Sequence, residues 1–171
     1  DVSPELKYVA EAHLARCEEA LGRMRASVDE LGANPRLRRA FQLANLAMHL
    51  QHSWDSSKSH QGPLRWRPFQ LGFLLLSAPS SVDRDHRHRG VMDLLWFPTG
   101  GGKTEAYLAL IACIAVYRRL SDDPHDHSGV CALMRYTLRL LTTQQFARSA
   151  AMVVALEAIR SGRVPSPEGL P

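Results

Sequence analysis

Residues 98–104 read Pro98-Thr99-Gly100-Gly101-Gly102-Lys103-Thr104: three consecutive glycines, then a lysine and a threonine, set between two apolar stretches. A glycine triplet sits poorly inside a helix or strand, because glycine loses more conformational freedom on ordering than any other residue. A turn is therefore expected between the flanking elements. Residues 91–97 (VMDLLWF) have the length and composition of a short buried strand, and residues 103–120 those of a helix apolar on nearly all sides. Strand, glycine turn and helix in that order gather backbone N–H groups around one point, with the positive end of the helix dipole behind them. Such a loop suits phosphate oxygens: Lys103 would reach the β and γ phosphates of a nucleotide, and the Thr104 hydroxyl would hold Mg²⁺. A glycine turn that merely caps a helix explains neither residue. Phe97 stands where the usual pattern has Gly or Ala, so it reads better as the last strand residue.

Upstream, Ser3-Pro4 and Asn34-Pro35 each pair a capping side chain with a proline suited to the first helical position. From Leu14, the residues Cys17, Leu21, Met24, Val28 and Leu31 recur at steps of three and four, which predicts a helix with one apolar seam running to about Leu31. Gly32 to Pro35 ends it, and Phe41, Leu43, Ala44, Leu46, Ala47, Met48 and Leu50 predict a second helix, making an αα-hairpin. Residues 51–63 read as a polar linker. Beyond it the pattern predicts a helix at 69–76, a polar loop at 78–90, a loop at 121–128, a second buried strand at 130–135 (VCALMR) and a long helix from about 140 to 160. The division is a helical region at 1–61 and an α/β region at 62–171. Two strands do not make a sheet, so further strands are expected from beyond Pro171, from other residues not included, or from another chain.

The hydrophobic share of 45% over 171 residues suffices for a core and excludes a disordered chain. Residues 1–61 carry 8 charges of each sign, whereas 62–171 carry 13 basic and 9 acidic, a weak steer toward an anionic partner. Cys17, Cys113 and Cys131 lie far apart without metal or redox spacing, and read as buried apolar residues of a reducing compartment. No run reaches membrane-span length and the first residues lack a signal-peptide pattern, so the expected location is the cytoplasm, with no membrane. Asp122, Asp123, His125, Asp126 and His127 are metal-ligand types in one short loop without a distant partner ligand, and are read as no metal site. Arg84, Arg87 and Arg89 suit phosphates but fit a solvated loop better.

Pro98 to Thr104, followed by Glu105, resembles the phosphate loop of superfamily 2 helicases, and Arg67-Pro68-Phe69-Gln70 resembles the element with which such helicases read adenine. The string from Asp93 to Leu108, with residues 134–142 (MRYTLRLLT) and the hairpin segments 33–35 and 40–45, resembles more narrowly the large helicase subunit of the DISARM phage-defence system. The resemblance spans most of the chain. It implies an incomplete RecA-like P-loop domain, with parallel strands and flanking helices, after the hairpin. It further implies an ATP-dependent DNA helicase or translocase with ATP and Mg as cofactors, DNA as partner, and a companion subunit of DUF1998 type. By the same resemblance Gln70, Thr99, Gly100, Gly101, Gly102, Lys103, Thr104 and Glu105 would hold the nucleotide, with Lys103 and Thr104 catalytic. Residues 136–143 sit where the family grips a DNA strand, so Thr137, Arg139, Thr142 and Thr143 would contact phosphates; Thr142 or Thr143 fits a cap of the long helix, and Arg139 a surface charge, equally well. Trp66 and Phe69 read as adenine-stacking or as packing residues. Neither Asp29-Glu30 nor Asp122-Asp123 follows a strand, so neither is the family's acidic Mg²⁺ pair, and the chain alone is not expected to turn over ATP. The competing reading is a nucleotide-binding scaffold that docks partner subunits without motor activity. A small-molecule kinase is disfavoured by Gln70 and Thr99.

Overall fold

The computed structural model describes residues 3–55, 62–98, 100–135 and 139–164, and among them every regular element is helical. Helix α1 spans Pro4–Ala33, α2 Pro35–Trp54, α3 Pro68–Val82, α4 Lys103–Arg119 and α5 Arg139–Arg160, with a short 3-10 helix at Pro124–His127. The local start signals act as expected. The Ser3 hydroxyl accepts from the Leu6 N–H at 3.3 Å, and the Asn34 carboxamide accepts from the Leu37 N–H at 3.0 Å, each taking up a donor that the first helical turn leaves without a partner. Helix α3 runs further than residues 69–76, passing through Pro79, and Arg89 donates to the carbonyls of Ser80 and Ser81 to close its last turn.

Helix α4 is central. It packs against α2, α3 and α5, while α1 packs mainly along α3. Helices α2 and α4 pack together, and both bury small side chains, Ala40, Ala44 and Ala47 on α2 and Ala106, Ala109 and Ala112 on α4; side chains this small let two backbones approach closely. Leu37, Met48, Leu74, Ala78, Leu108, Cys113 and Met152 join Ala40, Ala44, Ala109 and Ala112 in one core cluster to which α2, α3, α4 and α5 contribute. The seam expected on α1 is largely uncovered. Leu14, Leu21 and Val28 are exposed, and the face turned inward carries Arg23, Ser27 and the half-buried Leu31.

The expected parallel strands are absent among the described residues, and with them the incomplete RecA-like P-loop domain. Residues 91–98 and 130–135 run without regular structure and no ladder joins them. A strand needs neighbours to take its N–H and C=O groups, and a short apolar run signals burial without supplying that neighbour. Segment 91–98 is instead tied to the helices through Asp93. Its two carboxylate oxygens accept from the Arg23 guanidinium at 2.8 and 3.0 Å, and one also accepts from the Ser77 hydroxyl at 3.3 Å. The alternate side chains Met92, Leu94 and Trp96 point into solvent, Met92 and Trp96 being 90% exposed. No described helix is long and apolar enough to cross a membrane.

The cysteines divide. Cys113 is buried, and burial pushes its thiol up to about 12, whereas Cys17 and Cys131 are exposed, contrary to the expectation that all three would be core residues.

Candidate functional site

The glycine loop survives the loss of the sheet as the entry into α4. Gly102 is the residue before its first turn, with φ of +90°, and Gly100 has φ of +79°, values that side-chain-bearing residues rarely adopt. Two further constraints act there. A Cβ on Gly102 would come within 2.7 Å of Gln70 Nε2, and one on Gly101 within 2.3 Å of the Phe97 ring. Phe97 thus departs from the small residue of the usual pattern, and its bulk is accommodated because Gly101 has no side chain.

Gln70 is 4% exposed and sits in the first turn of α3. Its Oε1 accepts from the Arg67 N–H at 2.8 Å and its Nε2 donates to the Gly102 carbonyl at 2.7 Å, so one carboxamide closes the α3 N-terminus and grips the loop. Arg67 Nη1 donates to the Gly101 carbonyl at 2.8 Å, and the Phe69 ring stacks on Phe97 with centroids 3.9 Å apart. Trp66 is held differently. Its indole N–H donates to Asn45 Oδ1 at 2.6 Å and its ring packs against the core, so Trp66 serves packing while Phe69 faces the loop.

Lys103 Nζ folds back on its own loop, donating to the carbonyls of Phe97 and of Pro98, the latter at 3.0 Å, and the Pro98 carbonyl also accepts from the Gly101 N–H at 3.2 Å. Thr104 follows in the first turn of α4, half-buried. Beside the loop lies a hollow of about 320 Å³ lined by Arg65, Arg67, Gln70, Gly100, Gly102 and Glu105. Glu105 forms an ion pair with Arg148 of α5, which offsets the carboxylate charge next to the loop.

Of the residues expected to bind nucleotide, Gln70, Gly100, Gly101, Gly102, Lys103, Thr104 and Glu105 are thus brought together, and Thr99 lies outside the described residues. Of those expected to contact DNA, Thr142 and Thr143 are exposed near the start of α5, Arg139 is its first residue, and Thr137 and the Arg139 side chain lie outside the described residues. Sequence reasoning missed Arg148, whose partner Glu105 is 43 positions away, and gave Arg67 no role of its own.

Other charged residues serve local structure. Asp123 Oδ1 accepts from the His125 N–H at 2.9 Å. The Ser121 hydroxyl, donating to Asp126 Oδ2 at 2.6 Å, holds the Asp126 carboxyl below the usual carboxylate range; desolvation opposes this, and Arg36 and Arg84 reinforce it.

No family profile matches the chain, and no solved structure matches it. Among curated proteins it is similar to the DISARM protein DrmA of Bacillus paralicheniformis (strain ATCC 9945a / NCIMB 11709 / CD-2), with 40% identity over 171 residues. The chain spans 15% of the length of that relative, and the similarity takes in 90% of the chain.

Proposed function

We propose that the chain is the nucleotide-binding part of a longer ATP-dependent DNA helicase or translocase that acts in a DISARM-type defence system. The observation that carries this reading is the glycine loop at the start of α4, with Lys103 folded onto it and its carbonyls held by Arg67 and Gln70. The residues suit a phosphate chain. The first amides of α4 have no intrahelical acceptor, the positive end of the helix dipole lies behind them, and Lys103 adds a full charge at the same place. Lys103 would leave the Phe97 and Pro98 carbonyls for phosphate oxygens, a stronger, charge-assisted bond. Mg²⁺, when bound, would neutralise phosphate charge, and the Thr104 hydroxyl would be its side-chain ligand. Gln70 retains one N–H and one lone pair beyond the bonds it already makes, enough for an adenine edge.

Similarity to DrmA supports the defence role, and the resemblance to superfamily 2 helicases supports DNA as the second substrate, met by Thr142 and Thr143 with Thr137 and Arg139. A companion subunit of DUF1998 type is proposed on the same resemblance. Titration of the chain with Mg-ATP in a calorimeter tests the core of the reading. Binding heat is expected from the unmodified chain and its loss from Lys103→Ala, since the mutation removes the loop's own cation. ATP affinity untouched by Lys103→Ala would sink the assignment of the loop. DNA-stimulated ATP turnover by the longer polypeptide separates a motor from a scaffold.

A further inference from the structure

Glycines give the loop the backbone it needs and also make it soft. With Gly100, Gly101 and Gly102 in succession, no Cβ resists rotation of the intervening peptide planes, and each rotation turns an N–H that could meet an anion into a C=O that repels one. Bonds inside the loop involve the Phe97 and Pro98 carbonyls, and those of Gly101 and Gly102 are held from outside it by two side chains of the α3 start. Arg67 Nη1 holds the Gly101 carbonyl at 2.8 Å, and Gln70 Nε2 holds the Gly102 carbonyl at 2.7 Å. In a trans peptide the C=O and the next N–H point in opposite directions, and no cis peptide occurs among the described residues. Two consecutive carbonyls drawn toward α3 therefore turn the Gly102 and Lys103 N–H groups to the opposite side. Those are donors at the very start of α4, where no helical carbonyl is available to take them. The stack of Phe69 on Phe97 fastens the other end of the loop to the same turn of α3.

Gln70 is buried and makes one bond from each end of its carboxamide, whereas Arg67 is exposed and reaches the loop with one nitrogen. We infer that Arg67 is a positioning residue of the phosphate-binding loop. By holding the Gly101 carbonyl it fixes the peptide plane that presents the Gly102 amide to a phosphate oxygen, and it touches no phosphate itself. The inference rests on the nucleotide reading above and extends it to a side chain outside the glycine-lysine-threonine run.

The test is calorimetric titration of the whole chain with Mg-ATP and with magnesium tripolyphosphate, which lacks the base, in Arg67→Ala and Arg67→Gln, with circular dichroism to verify folding. Arg67→Ala is expected to weaken both ligands alike by about tenfold, the worth of one hydrogen bond from a charged donor. Arg67→Gln, which keeps an uncharged donor on a side chain two bonds shorter, is expected to recover part of that loss. Equal losses in Ala and Gln would overturn positioning by the hydrogen bond to the Gly101 carbonyl. A loss confined to ATP would place the effect on the base and would overturn positioning as well. Full affinity in folded Arg67→Ala overturns the inference and leaves the nucleotide reading standing, while no binding of either ligand by the unmodified chain overturns both. Should Arg67→Ala not fold, Arg67→Gln decides alone, a tenfold loss there counting against positioning.

Discussion

Gly101 is the residue at which the loop is most tightly constrained by a neighbour, and the constraint is steric. Its φ is not among the positive ones, so an alanine there meets no backbone penalty of that kind, but its Cβ would lie 2.3 Å from the Phe97 ring and 3.0 Å from the Pro98 carbonyl. Gly101→Ala must push the ring off Phe69. The expected cost is about 1–3 kcal/mol, as for other insertions into filled space, measured by chemical denaturation, together with weaker ATP binding. Phe97→Ala in the same chain should restore part of the stability because it removes the nearer obstacle. A Gly101→Ala chain as stable as its parent would show that the ring moves freely. The glycine triplet and its lysine were legible in the sequence as a run of adjacent letters. The grip of Gln70 and Arg67 was not, because it joins positions 32 and 34 apart, and no local pattern records which polar side chain a fold will bring to a given carbonyl.

Helices and their starts were legible for the opposite reason. Capping by Ser3 and Asn34 uses donors three residues away, and apolar spacing in α2 and α4 acts over one or two turns. Strands were misread because residues 91–97 and 130–135 have the composition of buried strands, and composition does not supply a partner chain. What the apolar pattern of α4 did encode is coverage by α2, α3 and α5. Ala109 of α4 is buried in the core cluster, so Ala109→Leu is expected to destabilise by about 1–3 kcal/mol through overpacking, read from the denaturation midpoint. The same change at the exposed Val153 of α5, Val153→Leu, should be nearly silent. If Ala109→Leu were equally silent, the close packing around Ala109 would be wrong.

At the level of the whole molecule, the three cysteines report whether this core forms in solution. Cys113 lies in the cluster shared by four helices, and its thiol, pushed up to about 12 by burial, is not the thiolate that reacts with alkylating reagents. At pH 8 the folded chain should take up reagent quickly at Cys17 and Cys131 and at Cys113 only on unfolding. Three fast sites, counted by mass spectrometry, would mean an open core. The linked pH effect follows: the folded thiol keeps its proton, so this contribution to stability is complete below the ordinary value of 9.0 and fades as pH climbs from there toward 12. Trp96 has a different consequence. Its indole stands 90% in solvent, four positions ahead of Gly100, while Trp66 is bonded to Asn45 against the core. A water-facing indole emits at longer wavelength than a sheltered one and is readily quenched by dissolved iodide. Once the likewise exposed Trp54 is replaced by Phe, the molecule carries its own optical gauge a few residues ahead of the loop glycines, and whatever settles there can be followed by colour, with no dye attached.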